Sequence, residues 1–350
     1  MITAYPHGSP CMALFSETDS ACMPAMFLLF TRATNASGKL LSLPWSMPIF
    51  FMVTKCIFSS ANPQKKSAGC LGLNHYFYPM SMGGPTNLVN RVSTDYRSAV
   101  LGRVVEIDFY QPVSNTSGDS CSILLINDGQ DLRALAFETI LQGLYEEGGI
   151  QPFLAVGIHA GKERRMEYGT AGEPDYLGRG ARAANYQEFI IQELIPFIHA
   201  RFPNTQEAPI SMAGFSLGGL SALDLTWNNP EQFCSVGVFS GSLWWRSLDQ
   251  ENPLYSDDKH RIMHQRVRQG QHNPGQRFFF QCGALDEEKD RNRNGIIDSI
   301  DDTLDLIEEL VRKGVPRASH IYYLELADGK HDVASWGRAW PFFLRWNYGK

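Results

Sequence analysis

The segment Gly214-Phe215-Ser216-Leu217-Gly218 sets a serine between glycines two residues to either side, with the apolar run "PISMA" before it and "LGGLSAL" after it. A serine hydroxyl attacks carbon poorly until a base takes its proton. A strand followed by G-x-S-x-G and a helix supplies the geometry for that chemistry. The glycines leave room where a Cβ would meet the neighbouring strand and helix, the serine occupies a strained turn, and Oγ projects from the carboxyl end of the sheet. The N–H of Leu217, first in the helix, then faces a developing oxyanion. The alternative is a turn that merely packs a helix tightly. The flanking strand and helix patterns favour Ser216 as a nucleophile.

Such a serine takes an acid and then a histidine from later in the chain. His260, His264 and His272 lie in a polar stretch and read as solvated, and His320 opens the strand-like run "HIYYLEL" in an edge or capping role. His331 follows that run in the glycine-containing loop "ADGKHDVASW" and is the expected general base. Asp286, just beyond the apolar run "FFFQCG", is the expected acid, with Glu287, Glu288 and Asp290 as solvated competitors. A second oxyanion donor is expected from the loop Asn127 to Leu132, at the N–H of Gly129 or Gln130.

These residues need a rigid frame. "RVVEIDFYQP" alternates like a strand with one exposed face, and "SILLIND", "FLAVGIH", "ISMAG", "FCSVGVFSG", "RFFFQCG" and "HIYYLEL" read as strands, most of them buried. Helical patterns separate them: "LRALAFETILQGLYEEGG", "YQEFIIQELIPFIHARF", Leu217 to Trp227, and a stretch near Thr303 to Arg312. Strands alternating with helices imply an α/β chain whose mostly parallel sheet is covered on both faces. No repeat or low-complexity linker divides residues 86–350, which read as one domain.

The 350 residues are 43% hydrophobic and 19% charged with a net charge of -6, which gives no general attraction to nucleic acid or anionic lipid. Residues 1–85 read differently. The first 80 residues hold seven of the eleven methionines and only two acids against five bases. The apolar patches "MFLLF" and "MPIFFMV" are too short to span a membrane, and Met1 opens no signal-peptide pattern. A disordered extension or a start codon set too far upstream is expected, with an export segment at residues 47–60 as the alternative. Cys121, Cys234 and Cys282 lie in or beside strand runs and are expected to be core thiols in a reducing, cytoplasmic setting.

The pieces "ILLINDGQDL", "VGIHAGKERRMEYG", "FIIQELIPFIHARFP", "MAGFSLGGLSAL", "FSGSLWW" and "GKHDVASWGRAWPFFL" occur in this order over residues 91–350. Together they resemble the putative esterase family of α/β-hydrolases, which includes esterase D, the ferri-enterobactin esterases and carbohydrate acyl esterases. The resemblance implies an α/β-hydrolase fold and hydrolysis of a small-molecule carboxylic ester through an acyl-enzyme, with Ser216, Asp286 and His331 in the matching positions and no cofactor needed for catalysis. Arg165 to Gly169 and Ser242 to Trp245 look like the siderophore-esterase branch. From the residues themselves, Arg165 and Glu167 either contact substrate or pair with each other to pin their loop, the pairing being preferred. Trp244 and Trp245 either wall the site or pack in the core. An acyltransferase on the same triad and a non-catalytic binding protein of this fold are the rival functions.

A second pattern concerns a metal. Asp290, Asn292, Asn294, Asp298 and Asp301 stand at positions 1, 3, 5, 9 and 12 of an EF-hand-like loop, with Gly295 at 6 and the Ile296 carbonyl at 7. Asp301 replaces the usual glutamate and no helix precedes the loop. A structural calcium ion and simple capping of the following helix are both consistent with this pattern.

Overall fold

The computed structural model describes residues 87–113 and 120–350; the expectations for residues 1–85, the domain boundary beside them included, lie outside the described residues. Eight strands form one sheet: β1 (Val89–Ser98), β2 (Arg103–Pro112), β3 (Ser122–Asn127), β4 (Phe153–Ile158), β5 (Ile210–Phe215), β6 (Phe233–Phe239), β7 (Arg277–Leu285) and β8 (Ile321–Lys330). Their order is β1-β2-β4-β3-β5-β6-β7-β8. β1 and β2 pair antiparallel, as do β2 and β4, and every later pairing is parallel. The helices are α1 (Phe137–Glu146), α2 (Arg164–Glu167), α3 (Ala183–Glu188), α4 (Ile195–Arg201), α5 (Leu217–Asn228), α6 (Asp257–His260), α7 (Ile262–Gln269), α8 (Asp298–Arg312), α9 (Arg317–His320) and α10 (Val333–Tyr348).

The apolar runs are unbroken because β3, β4 and β5 are covered on both faces. Successive side chains therefore enter two different cores. Ile123 and Leu125 join one with Leu194 and Ile198, Leu220 and Leu223 of α5, and Leu306 and Leu310 of α8. Leu124 and Ile126 join the other with Phe137 and Leu141 of α1 and Trp340, Phe343 and Leu344 of α10. Truncating a fully buried ring such as Phe343 to alanine costs about 3–5 kcal/mol in such packing.

Several expectations are corrected. The pattern beginning at Leu132 turns first and becomes helical only at Phe137, after Ala136 with φ 56°. The "YQEFIIQELIPFIHARF" helix widens to a π-turn over Phe189–Leu194 before continuing as α4. Pro196 explains this, since it lacks an N–H and crowds the carbonyl one turn back. β1 was masked in the sequence by its Asn, Asp and Ser content, which lowers strand propensity. The polar stretch around His264 forms α6 and α7, and His264 is buried rather than solvated. Its Nε2 lies 2.8 Å from the Asp302 carbonyl, and burial pushes its pKa down to about 3. Among the described residues no disulfide joins Cys121, Cys234 or Cys282, and burial pushes Cys282 up to about 12. No described helix is long and apolar enough to cross a membrane.

Candidate active site

Ser216 joins β5 to α5 with φ 52° and ψ -120°, a conformation an L-residue holds only under constraint. The constraint is steric. A Cβ on Gly214 would lie 2.3 Å from the Gly218 carbonyl oxygen, and one on Gly218 would lie 2.5 Å from Asp128 Oδ2. The turn is fixed further by the Ser216 N–H donating to the Phe239 carbonyl at 2.9 Å and by the Ser242 N–H donating to the Ser216 carbonyl at 3.0 Å. Ser216 Oγ lies 3.3 Å from Ser242 Oγ. The N–H groups of Leu217 and Gly129 have no hydrogen-bond partner among the described residues.

Strand register sets the other two residues at one height. Leu285 and Lys330 are parallel partners, so Asp286 and His331 leave adjacent strands one residue later. Asp286 Oδ2 accepts the Gly283 N–H at 3.0 Å, while Oδ1 is buried without a hydrogen-bond partner. Burial raises the Asp286 pKa, opposed by the Gly283 N–H, the Ser240 hydroxyl and the charge of His331. His331 keeps an exposed edge, but the protein around its ring lowers its pKa, opposed by Asp286 and assisted by Arg164. Among the described residues no direct hydrogen bond joins His331 to Asp286 or to Ser216; an interaction of charges couples the first pair.

The loop after β3, which holds the candidate oxyanion donor Gly129, carries residues not singled out from sequence. Asp128, with φ 61°, turns the chain after β3 and is gripped by Arg164 at 2.6 and 2.7 Å. Tyr186 donates to Asn127 Oδ1 at 2.6 Å, and Asn127 donates to the Gly218 carbonyl at 2.8 Å, tying this loop to the serine turn. Gln130 acts through its side chain, accepting the Ala160 N–H at 3.0 Å and donating to Asp128.

The model of the family described as Putative esterase matches residues 98–341, which include all of these groups. The chain belongs to this esterase family. Among curated relatives, it is 36% identical over 63 residues to a siderophore triacetylfusarinine C esterase of Aspergillus fumigatus, covering 18% of this chain and 22% of that protein. It is 29% identical over 106 residues to an endo-1,4-beta-xylanase/feruloyl esterase of Xylanibacter ruminicola, covering 30% of this chain and 14% of the relative. These alignments span less than a quarter of either relative. Among solved structures, the enterobactin esterase of Shigella flexneri superposes with TM-score 0.57 at 20% identity, over 73% of this chain and 58% of that one. A siderophore hydrolase of Aspergillus nidulans superposes with TM-score 0.55 at 20% identity, over 73% and 94%. The likeness establishes the α/β-hydrolase fold for this member of the family.

The expected pairing of Arg165 with Glu167 is not formed. Residues two apart on the single turn α2 point in different directions. Glu167 is fully buried and takes Arg103, at 2.7 Å from Nη2, while Arg165 is exposed. Trp245 is wholly buried against Gly169 and Gly180, where a Cβ would stand 2.8 and 3.0 Å from the indole, so it packs the core. Trp244 is half-buried and faces a cavity.

In the loop 290–301, Asp290 accepts the N–H groups of Asn294 and Gly295, and Asn294 Oδ1 accepts that of Ile296. Asp301 Oδ2 receives the side-chain amides of Asn292 and Asn294 at 2.8 Å each. Asp298 instead serves Arg291, accepting its N–H at 2.8 Å with the guanidinium 3.3 Å away. The loop thus has the EF-hand order of oxygens, with one of its carboxylates engaged by an arginine.

Proposed function

We propose that the chain hydrolyses small-molecule carboxylic esters through an acyl-enzyme on Ser216. The observation that carries this reading is the Ser216 turn itself: strained, cleared by Gly214 and Gly218, and followed by the unpartnered N–H of Leu217. His331 takes the Oγ proton as Oγ adds to the ester carbonyl, and the oxyanion accepts hydrogen bonds from Leu217 and Gly129. The protonated imidazole then gives its proton to the departing alcohol, and the acyl group stays on Oγ. Water, deprotonated by the same histidine, releases the acid. Asp286 orients and charges the imidazole, a role suited to its buried Oδ1, which lacks a donor at rest.

The names of the relatives support esters of the siderophore or feruloyl type as the class to assay first. Hydrolysis of p-nitrophenyl acetate by the wild-type chain and by Ser216→Ala tests the mechanism. Loss of at least about 1,000-fold in kcat is expected for the variant, together with loss of fluorophosphonate labelling. Equal rates in the two proteins would overturn it.

A further inference from the structure

A cavity of about 230 Å³ opens between the loop after α2, the segment after β6 and the loop after β7. Its walls include Tyr176, Arg179, Trp244, Arg246, Glu287 and Lys289. Two of its walls are close in sequence to residues of the candidate triad and its turn. Glu287 follows Asp286, and Trp244 stands two residues beyond Ser242, which is bonded to Ser216 through both its N–H and its hydroxyl.

Arg246 is the unusual group here. Its guanidinium lies 5.8, 5.9 and 5.7 Å from the rings of Tyr176, Trp244 and Tyr255. Its Nε is buried without a hydrogen-bond partner, and no carboxylate of the described residues forms an ion pair with it. Neighbouring polar groups are mostly committed elsewhere: Arg179 to Asp175, Asp298 to Arg291, and the Tyr255 hydroxyl to Asp257. Glu287 is half-buried and is not in an ion pair with Arg246. Aromatic faces attract a guanidinium but offer no acceptor in the plane of its N–H groups. A planar oxyanion with two acceptors is the complement that the fork of Arg246 lacks. Lys289 adds a second positive charge, and Leu177, 63% exposed, lines the same cavity with an apolar surface.

We propose that this cavity is a carboxylate subsite, binding the free carboxylate that ends one arm of an ester substrate through Arg246 and Lys289, with Trp244 and Tyr176 flanking the arm. The assignment rests on Ser216 being the reacting group, and it names the substrate class as esters that carry a separate acid.

Binding can be measured apart from turnover on the full chain carrying Ser216→Ala. Titration calorimetry would compare monobutyl adipate, with its acid on the acyl arm, and 4-(butyryloxy)butanoate, with its acid on the alcohol arm, each beside its neutral carboxamide. At least one acid is expected to bind about tenfold more tightly than its amide, the size of one charge-assisted contact. Adding Arg246→Met is expected to bring that ratio close to one, and Arg246→Lys to retain part of it. Equal binding of acids and amides, no binding by either acid, or a ratio unchanged by Arg246→Met would overturn the subsite. Absence of ester hydrolysis by the wild-type chain, with the binding ratio intact, would instead remove the esterase reading and leave the subsite standing.

Discussion

Trp336 stands edge-on to His331, with ring centroids 5.3 Å apart and planes at 80°. The same indole donates its N–H to Ser240 Oγ at 2.9 Å, and the Ser240 hydroxyl in turn favours the charged form of Asp286. One side chain therefore buttresses both the proposed base and the proposed acid.

Trp336→Phe keeps a ring beside His331 and removes the N–H. One neutral hydrogen bond is worth about 1 kcal/mol, so kcat should fall roughly fivefold with KM little changed. Steady-state kinetics normalised to the fluorophosphonate-reactive fraction check this. A loss confined to the reactive fraction would mean that Trp336 only supports folding.

The pH profile carries a sign. The base acts as neutral imidazole, present above its pKa, and burial lowers the pKa of His331. The acid limb of kcat/KM should therefore lie below the ordinary histidine value of about 6.5. Arg164 lowers the same pKa, so Arg164→Ala should move that limb to higher pH. It should also reduce kcat, because Asp128 loses the partner that fixes the oxyanion loop. A limb that stays in place would show that Arg164 does not act on His331.

Gly214→Ala places a methyl 2.3 Å from a backbone oxygen, with no flexible side chain to yield. Destabilisation of about 2–4 kcal/mol is expected, read from urea unfolding. Gly102→Ala meets nothing within 4 Å but has φ +68°, so it should cost only about 1 kcal/mol of backbone strain.

The loop 290–301 predicts a response to calcium. An ion that takes the oxygens of Asp290, Asn292, Asn294 and Asp301 would turn the two amides away from Asp301 and raise the melting temperature. Saturation at a hundred times Kd stabilises by about 2.7 kcal/mol. An unchanged melting temperature at millimolar calcium would leave the loop as a cap for α8.

Much of the frame was legible because buried parallel strands are written as unbroken apolar runs. "SILLIN", "FLAVGI" and "RFFFQCGAL" became β3, β4 and β7 within a few residues of the patterns that announced them. Asp286 and His331 stand out in the sequence because each follows such a run, and the register of Leu285 with Lys330 sets these two strand ends side by side. Long-range pairing was not legible. Nothing within the loop 160–182 signals that Glu167 finds Arg103 across the fold, or that it is Arg164, beside the named Arg165, that grips Asp128. Arg246 is only partly marked locally, since Trp244 is near it in sequence but Tyr176 and Tyr255 come from other segments. β1 and α7 were hidden by polar composition and are held by tertiary contacts.

The strand order carries a consequence for how the chain acquires activity. Gly129, Ser216, Asp286 and His331 sit on loops after β3, β5, β7 and β8, which lie on one side of the sheet and are joined through parallel pairings that each span a long stretch of chain. Such contacts form late, since loop closure must precede any gain from pairing. In the proposed mechanism Ser216 therefore has no base until β8 docks, and acquisition of activity waits on the last of the described strands.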